Sequence, residues 1–303
     1  MEFFSHQTKI PFMALRNKAF GLSVIILVVS CISIAFFGLK MGLEFTGGIQ
    51  MEVGFSQQHD LAEIRHLFAD HSENISIQSL GGSKNILLRI PKTNDKELQH
   101  SIEKTLADNF PDSKISQVEY IGPQIGKELL TDGLNAIIFA LILTMLYIAL
   151  RFEYRFAIAA IVALLHDPIV TLGVFSYCQI EFDLISLAGI LTVLGYSLND
   201  TIVVYDRIRE NFNNYPDRGI ESIVNMAINE TLSRTIITSL LTLLAVLSLL
   251  FFGGESLHGF SVALTIGIII GTYSSIYIAG ALAVVLGLTH TPAKKPTPVI
   301  LQS

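Results

Sequence analysis

The sequence is short of charge and contains no tryptophan. Only 15% of its 303 residues are charged, whereas 51% are hydrophobic. That balance excludes an ordinary soluble domain and predicts a protein that crosses a membrane several times. Because Trp is absent, we expect tyrosines to supply the amphipathic rings at the membrane surfaces. Four of them lie near the ends of apolar runs: Tyr147, Tyr154, Tyr177 and Tyr205.

The residue patterns of common catalytic and metal sites are also missing. Cys31 and Cys178 are the two cysteines, and their positions give neither a metal-ligand pattern nor a disulfide framework. The sequence has no glycine-rich phosphate loop, no nucleophile elbow and no basic stripe of the kind that binds nucleic acid. We therefore expect no enzyme activity, no metal, no cofactor and no nucleic-acid partner.

Six apolar runs are long enough to cross about 30 Å of hydrocarbon. The first follows basic residues, as a signal peptide does, but it is long enough to span and no cleavage motif follows it. We therefore expect it to be retained as a membrane helix. The predicted spans are 19–39, 133–150, 156–177, 184–205, 235–252 and 259–288.

Short loops that contain Lys or Arg alternate with short loops that contain neither, and this alternation predicts how the chain is oriented in the membrane. The positive-inside rule places the basic loops in the cytoplasm, and with them both chain termini. We expect a cytoplasmic N-terminus at 1–18, a periplasmic domain at 40–132, and a bundle at 133–291 with a cytoplasmic loop at 206–233. A cytoplasmic tail at 292–303 follows. The basic residues on the cytoplasmic side are Lys9, Arg16, Lys18, Arg151, Arg155, Arg207, Arg209, Arg218, Lys294 and Lys295.

The segment 40–132 has the pattern of a small α+β domain. Apolar residues alternate over 49–55, as in a half-buried strand, and Leu61, Ile64 and Phe68 mark one face of a helix. The order βαββαβ is that of the ferredoxin-like fold, in which two helices cover one face of an antiparallel sheet. The remaining strands are expected at 75–80, 86–90 and 115–121, and the second helix at 95–109. We also expect a turn at 81–83 and a bend into the first strand at Gly47 and Gly48.

A stretch at 220–232 is amphipathic. Apolar residues form one face, and Glu221, Asn225 and Asn229 lie on another. We expect this stretch to lie on the membrane surface. Its role is either structural, as a helix packed beneath the bundle, or the binding of a partner.

The fourth span contains an acid, Asp200, preceded by sixteen residues without a formal charge. A charged Asp at the centre of a membrane helix costs about 2.5–3.5 kcal/mol, so it usually faces a polar partner or a water path. Loss of water favours the protonated carboxyl and a nearby cation favours the charged one. A buried Asp with a movable partner can therefore take up and release a proton. The alternative is an acid near the cytoplasmic headgroups, solvated by water and Asn199.

Arg234 begins the fifth span at the cytoplasmic side, which Asp200 also approaches. On their helices Arg234 shares a face with Thr238, and Asp200 shares one with Ser197. We interpret Asp200 and Arg234 as a pair whose spacing changes with protonation. The alternative is an interfacial arginine whose guanidinium reaches the headgroups.

The third span holds His166 and Asp167 in front of Pro168. We favour a structural role, in which these groups satisfy polar groups freed by the proline or bond to a neighbouring span. A proton relay is the alternative. With Asn199 they form a possible secondary polar site.

Small residues recur at every fourth position of the sixth span. Such a ridge lets helices approach closely, because association in lipid depends on packing. We predict tight helix contact there, within the chain or with another subunit. The ridge consists of Ala263, Gly267, Gly271, Ser275, Ala279, Ala283 and Gly287.

Several longer motifs occur together and in order. On these motifs the chain resembles the SecF family of protein-export membrane proteins over nearly its whole length. Glu44 stands where the family often has Asp in its FTGG motif, so the acid is retained. The motifs are GLEFTGGIQMEV at 42–53, IGPQIGKEL at 121–129, HDPIVTLG at 166–173, GYSLNDTIVVYDRIREN at 195–211, ETLSRTIITS at 230–239 and GTYSSIYIAG at 271–280.

The resemblance implies one six-span repeat of the resistance-nodulation-division type in the bacterial inner membrane. It implies SecD as the other repeat, YajC as an associated protein, and SecYEG and SecA as the channel and motor. With them the chain would use the proton-motive force to assist late export of preproteins. Asp200 matches the family's membrane acid implicated in proton passage, and Arg234 its coupled arginine. The alternatives are a half-transporter for small molecules or lipids and a non-conducting scaffold.

Overall fold

Six long helices carry the apolar runs, and a small sheet domain follows the first of them. The computed structural model describes residues 8–68, 75–79, 84–91 and 96–287. Within these ranges six helices are long and apolar enough to cross a membrane, which confirms the number of spans. In chain order the elements are α1 (Arg16–Phe37), α2 (Leu43–Thr46), β1 (Gly48–Phe55), α3 (Leu61–Phe68), β2 (Ser76–Ser79), β3 (Asn85–Pro91), α4 (Lys96–Asn109), β4 (Ser113–Ile121), α5 (Pro123–Arg151), α6 (Tyr154–Cys178), α7 (Leu184–Asn214), α8 (Ile220–Phe252), α9 (His258–Ser274), a π-helical turn (Ser275–Ala279) and α10 (Gly280–Val285).

Some sequence predictions fall outside the described residues and stay predictions. They are the end of the second strand at Leu80, the turn at 81–83, the start of the second domain helix at Asp95, the basic residues Lys294 and Lys295, and the tail at 292–303.

Local sequence explains where two of the spans begin. α5 begins at Pro123, well before the predicted 133, because Pro suits the first turn of a helix and the preceding Gly122 is extended. α7 begins after Asp183, whose carboxylate accepts hydrogen bonds from the Ser186 amide at 2.7 Å and from its hydroxyl at 2.6 Å. An acid in this position satisfies a helical amide that lacks a partner in the helix.

The amphipathic stretch at 220–232 is not a separate surface helix. It is the first part of α8, which runs without a break to Phe252. Its apolar residues Ile223, Val224 and Ala227 are fully buried in the bundle. The expected position on the membrane surface is therefore wrong, because packing inside the protein removes the apolar area that would have met lipid. Most of 206–233, expected as a loop, likewise belongs to α7 and α8.

Three helices form the centre of the bundle. α6, α7 and α9 are about half buried, whereas α1, α5 and α8 present exposed apolar faces, as helices that meet lipid do. The ridge of small residues on α9 packs on α7, with Gly267 against Val193 and Gly271 against Ser197. A side chain at Gly267 would overlap Val193, so this approach requires glycine. The predicted tight helix contact is confirmed, and it lies within the chain.

The sheet domain has the predicted order βαββαβ. Its strands are arranged β2-β3-β1-β4, and all neighbours are antiparallel. The chain enters β1 through Gly47 and Gly48, with φ of +73° and +152°, a region that side-chain-bearing residues rarely adopt. The predicted bend is therefore confirmed. α3 and α4 pack on one face around a core that includes Ile49, Met51, Val53, Phe55, Ile64, Phe68, Leu88, Ile102 and Leu106.

The sheet domain rests on one end of the bundle. Phe45 of α2 stacks on Phe182 of the α6–α7 loop, with ring centres 5.8 Å apart. The Phe182 amide donates to the Lys40 carbonyl, and the Gly42 amide donates to the Phe182 carbonyl, each at 2.8 Å. The segment that leaves α1 is thus hydrogen-bonded to the loop between the two central helices.

The N-terminal segment covers the opposite end. The amides of Ile10 and Met13 donate to the side-chain oxygens of Asn229 and Asn225, at 2.9 Å each. The polar face of the amphipathic stretch therefore holds the start of the described chain.

Candidate functional site

Asp200 lies near the middle of α7 on its buried face. The residue is 4% exposed, and its Oδ2 atom is buried without a hydrogen-bond partner among the described residues. A carboxylate in such surroundings is expensive to keep charged. Asp200 is thus a buried acid with unused hydrogen-bonding capacity.

Arg234 lies on α8, which packs against α7, and its side chain is exposed. The two side chains form no salt bridge within the described ranges. The buried hydroxyl of Thr235, the next residue, also lacks a partner there. The structure therefore brings the two predicted site residues to neighbouring helices without joining them. Attraction between them depends on the charge of Asp200.

Asp167 on α6 is a second buried acid, and both of its carboxylate oxygens have partners. Oδ2 accepts hydrogen bonds from Ser197 on α7 at 2.7 Å and from Ser274 on α9 at 2.9 Å. Oδ1 lies 3.0 Å from Nδ1 of His166. The carboxylate thus ties together the three central helices. This geometry favours the structural interpretation of Asp167 over a proton relay.

Sequence reasoning missed several hydroxyl groups that extend this polar layer. The hydroxyl oxygens of Ser275 and Thr201 are 3.1 Å apart, and Ser275 begins the π-helical turn, a feature often found at functional sites. Tyr196 donates to Ser239 at 3.1 Å, and Ser239 lies 2.8 Å from Thr272. The available signal was the concentration of Ser and Thr near an acid in apolar spans. Spacing alone does not say which hydroxyls meet.

Asn199 belongs to neither cluster. It lies on the exposed face of α7, because consecutive helix residues point in different directions. His166 is 2% exposed, and its Nε2 has no hydrogen-bond partner in the part of the chain that is described. The secondary polar site therefore consists of His166 and Asp167 with Ser197 and Ser274, and without Asn199.

Ser197 connects the two acids. It lies one helical turn before Asp200 and donates to Asp167, so this bond helps to set how α7 is rotated and where Asp200 points. The arrangement suits a charge change at one acid beside a fixed hydrogen-bonded one. Within residues 8–287, apart from the undescribed gaps, no three His, Cys, Asp or Glu side chains are grouped to hold a metal ion.

Two family models match the chain. The model described as "Protein export membrane protein SecD/SecF, C-terminal" matches residues 101–289, and the model described as "SecD/SecF GG Motif" matches residues 32–58. The chain is 44% identical over 283 residues to the protein translocase subunit SecF of Pseudomonas aeruginosa, with 92% of each chain covered. It is 46% identical over 287 residues to the SecF of Desulfurispirillum indicum, with 91% of each covered.

Two solved structures have the same fold. The crystal structure of SecDF, a translocon-associated membrane protein from Thermus thermophilus, superposes with a TM-score of 0.80 and 32% identity over 94% of this chain. A crystal structure of SecDF in a super-membrane-facing form gives 0.74 and 32% over 92%. This chain spans 39% of the length of each of those SecDF chains.

Proposed function

Because the chain belongs to the SecD/SecF family of protein-export membrane proteins, we propose that it is the SecF-type subunit of the Sec machinery. With SecD it uses the proton-motive force to assist late steps of preprotein translocation. It acts as a transport subunit and not as an enzyme. The observation that carries the proposal is Asp200, a buried and incompletely hydrogen-bonded acid inside a membrane span, beside the helix of Arg234.

We place the protein in the bacterial inner membrane, with the sheet domain in the periplasm and both termini in the cytoplasm. The distribution of charge supports this orientation. The loops that meet the sheet domain carry Glu181 and Glu255 and have no Lys or Arg, whereas Arg151, Arg155 and Arg207 lie at the other end of the bundle.

SecD is the proposed partner within the membrane. The SecDF relatives are longer chains, of which this chain spans 39%, so each contains a further part for which SecD is the counterpart. The exposed apolar faces of α1, α5 and α8 offer surface to such a partner and to lipid. YajC, the SecYEG channel and the SecA motor are proposed from the family resemblance.

In the proposed mechanism the charge of Asp200 sets how α7 and α8 lie together. The ionised carboxylate attracts the guanidinium of Arg234, and protonation removes that attraction. Moving one elementary charge through 100 mV is worth about 2.3 kcal/mol, or roughly a 40-fold shift in a two-state equilibrium. Repeated protonation and release therefore bias the helix positions in one direction.

Asp167 acts as a positioning residue in this mechanism. Its hydrogen bonds to Ser197 and Ser274 hold α7 and α9 against α6. A fixed rotation of α7 keeps Asp200 facing inward in both charge states. Changes at Asp200 are then passed on as movement of whole helices.

The test replaces Asp200 by Asn in vesicles that contain SecD, SecYEG and SecA. Asn keeps the size and polarity of the side chain but carries no titratable proton. Export driven by the proton-motive force should fall to its level without a proton gradient, while co-purification with SecD stays unchanged. The matched control is Asp206→Asn, the same change further along α7, where Asp206 is partly exposed and lies 3.4 Å from Arg151.

Full proton-driven export by the Asp200→Asn chain would overturn the proposal and favour a scaffold. A proton-dependent flux of small molecules or lipids through vesicles without SecYEG, abolished by the same substitution, would instead favour a half-transporter.

A further inference from the structure

The sheet domain is tied to the bundle by two arginines. Arg89 of β3 lies 3.0 Å from Glu181 in the α6–α7 loop and 3.5 Å from Glu44. Arg65 of α3 forms an ion pair with Glu255, in the turn between α8 and α9. Each of the two short loops on this side of the bundle therefore has its own charged contact with the domain.

The contact between Arg89 and Glu181 is buried, and we name this pair the pivot. Arg89 is 8% exposed, and Glu181 also accepts a hydrogen bond from Ser76 at 3.3 Å. Breaking this pair would leave a buried charge without its partner, which is strongly unfavourable. Glu44 is the more distant partner of Arg89, and burial raises its pKa above the ordinary value against the opposing effects of a backbone hydrogen bond and Arg89. Because Arg89 donates a hydrogen bond to Glu181 at 3.0 Å, Glu181 is its main partner.

The contact between Arg65 and Glu255 is open to water, and we name this pair the latch. The two side chains are 50% and 39% exposed, and ion pairs at such exposure add little stability. Arg65 also donates to the Ile77 carbonyl at 3.0 Å, so it keeps a partner when the pair opens. The Ser79 amide also donates to Glu255 at 3.0 Å. The latch is thus much easier to break than the pivot.

The interface between pivot and latch is incompletely packed. A cavity of about 290 Å³ lies there, and its lining includes Arg65, Glu181, Asp183, Glu255 and His258. Polar interfaces of this kind between parts of one chain commonly allow relative movement. The polar side of the interface can therefore open while the apolar contact between Phe45 and Phe182 stays closed.

The pivot and the latch end on different helix pairs. The loop of Glu181 joins α6 to α7, which carry Asp167 and Asp200. The turn of Glu255 joins α8, which carries Arg234, to α9. A displacement of α8 against α7 therefore changes the separation of the two loops that the sheet domain contacts.

We propose that Arg65 and Arg89 are the coupling residues of this protein: the sheet domain pivots about Arg89 and Glu181 when movement of α8 opens the latch between Arg65 and Glu255. The inference rests on the proposed function, because it takes the charge of Asp200 as the cause of the helix movement. It assigns the transmission of that movement to two named contacts.

The test closes the latch covalently and leaves its charges in place. In a chain with Cys31→Ser and Cys178→Ser, the substitutions Ser79→Cys and Ser256→Cys put thiols on both sides of the latch, next to Glu255. A short, reducible thiosulfonate cross-linker should abolish proton-driven export in SecD-containing vesicles, and a reductant should restore it. The control pair is Glu52→Cys with Gln117→Cys, which face each other on β1 and β4. A cross-link between these two cysteines joins two strands of the sheet domain and does not connect the domain to the bundle, so it should leave export unchanged.

A second measurement does not depend on export. The cross-linking rate of the Ser79→Cys and Ser256→Cys pair should fall when a proton gradient is applied, and this response should vanish when Asp200→Asn is added. Undiminished export by the linked chain would overturn the latch, while leaving the role of Asp200 intact. Normal proton-driven export by the Asp200→Asn chain would instead show that the charge of Asp200 does not cause the helix movement. If the cross-linking rate still fell under a proton gradient after Asp200→Asn, the latch would not be coupled to that acid.

Discussion

Asp167 and Asp200 are both buried in the central helices, but their surroundings differ. The carboxylate of Asp167 has partners on both oxygens, from three side chains on α6, α7 and α9. The carboxylate of Asp200 keeps an oxygen without a partner in the described structure, and Arg234 lies on the neighbouring helix α8 without forming a salt bridge to it there. The two acids are therefore alike in burial and differ in their hydrogen bonds.

The difference separates stability from function. Hydrogen bonds that all point at a carboxylate stabilise one arrangement and oppose any change. An acid with unused hydrogen-bonding capacity is held less firmly in its charged form, so a membrane potential can shift it between the charged and the neutral form. We therefore expect Asp167 to contribute mainly to stability and Asp200 mainly to proton-driven work.

The largest expected effect on stability is that of Asp167→Ala. It removes the carboxylate that Ser197 and Ser274 donate to and that His166 contacts, which should lower the free energy of unfolding by about 2–4 kcal/mol. Asp200→Ala should leave stability unchanged or raise it, because it removes an incompletely paired buried acid. Unfolding of both variants in detergent can be followed by circular dichroism, since the chain has no Trp to report by fluorescence.

Equal destabilisation by Asp167→Ala and Asp200→Ala would contradict the comparison. It would mean that Asp200 also holds the bundle together, and its role as a movable charge would lose its physical basis.

A second prediction concerns the packing of α9 on α7, which helps to hold Asp167 and Asp200 in their relative positions. Gly267→Ala should cost about 1–3 kcal/mol, because the added methyl group meets Val193 and pushes α7 from α9. Gly195→Ala is the matched control on α7, where nothing lies within 4 Å of the added atom, and it should be neutral or stabilising. The measurements are the unfolding transition and proton-driven export. Equal stability of the two variants would show that the close approach of α9 does not hold α7.

Much of the fold could be predicted because hydrophobic pattern is local information. The six spans, the order βαββαβ and the ridge around Gly267 all follow from periodicity and residue size. The amphipathic stretch at 220–232 was misplaced for a physical reason. An apolar face has the same pattern whether lipid or protein covers it, and only the tertiary structure shows that Ile223 and Val224 meet the bundle.

The candidate site could be predicted only in part. Asp200, Arg234 and Asp167 stand out in the sequence because charge is rare in membrane spans. The difference between the hydrogen bonds of Asp167 and those of Asp200 cannot be seen in the sequence, because it depends on which of many hydroxyl groups lies next to each acid. Ser197 and Ser274 lie on separate helices, and their meeting at Asp167 results from helix rotation and close packing.

A third, smaller effect is expected for Ser197→Ala. Loss of one of the hydrogen bonds at Asp167 should cost about 0.6 kcal/mol, the average for such bonds between membrane helices, and at most about 1.7 kcal/mol. Export should lose part of its proton dependence as well, because α7 is then less firmly oriented. The control is Ser248→Ala, whose hydroxyl donates to the Leu244 carbonyl of its own helix at 2.9 Å. Identical behaviour of the two variants would remove the link between the acids.

The smallest effect is expected at Asp112, a carboxylate outside the membrane that serves as a reference. Its carboxylate accepts a hydrogen bond from the Gln57 amide at 3.1 Å and lies 3.1 Å from Nε2 of His59. These contacts, the Gln57 amide first, hold the pKa of Asp112 below its ordinary value of 3.8. Since the folded value is the lower one, the ionised carboxylate stabilises this loop above pH 3.8, and the contribution is lost as pH falls through the folded pKa.

The corresponding measurement is the hydrogen-exchange protection of the Gln57 amide. Corrected for the intrinsic rate, the protection should be constant from neutral pH down to the ordinary pKa of Asp112 and should decrease below it. Asp112→Asn should give lower protection that no longer varies over that acidic range. If the unmodified chain and the Asp112→Asn chain lose protection equally as the pH falls, the hydrogen bonds donated to Asp112 do not lower its pKa. The same reasoning distinguishes Asp167 from Asp200, so that outcome would also weaken the assignment of Asp200 as the acid that changes charge.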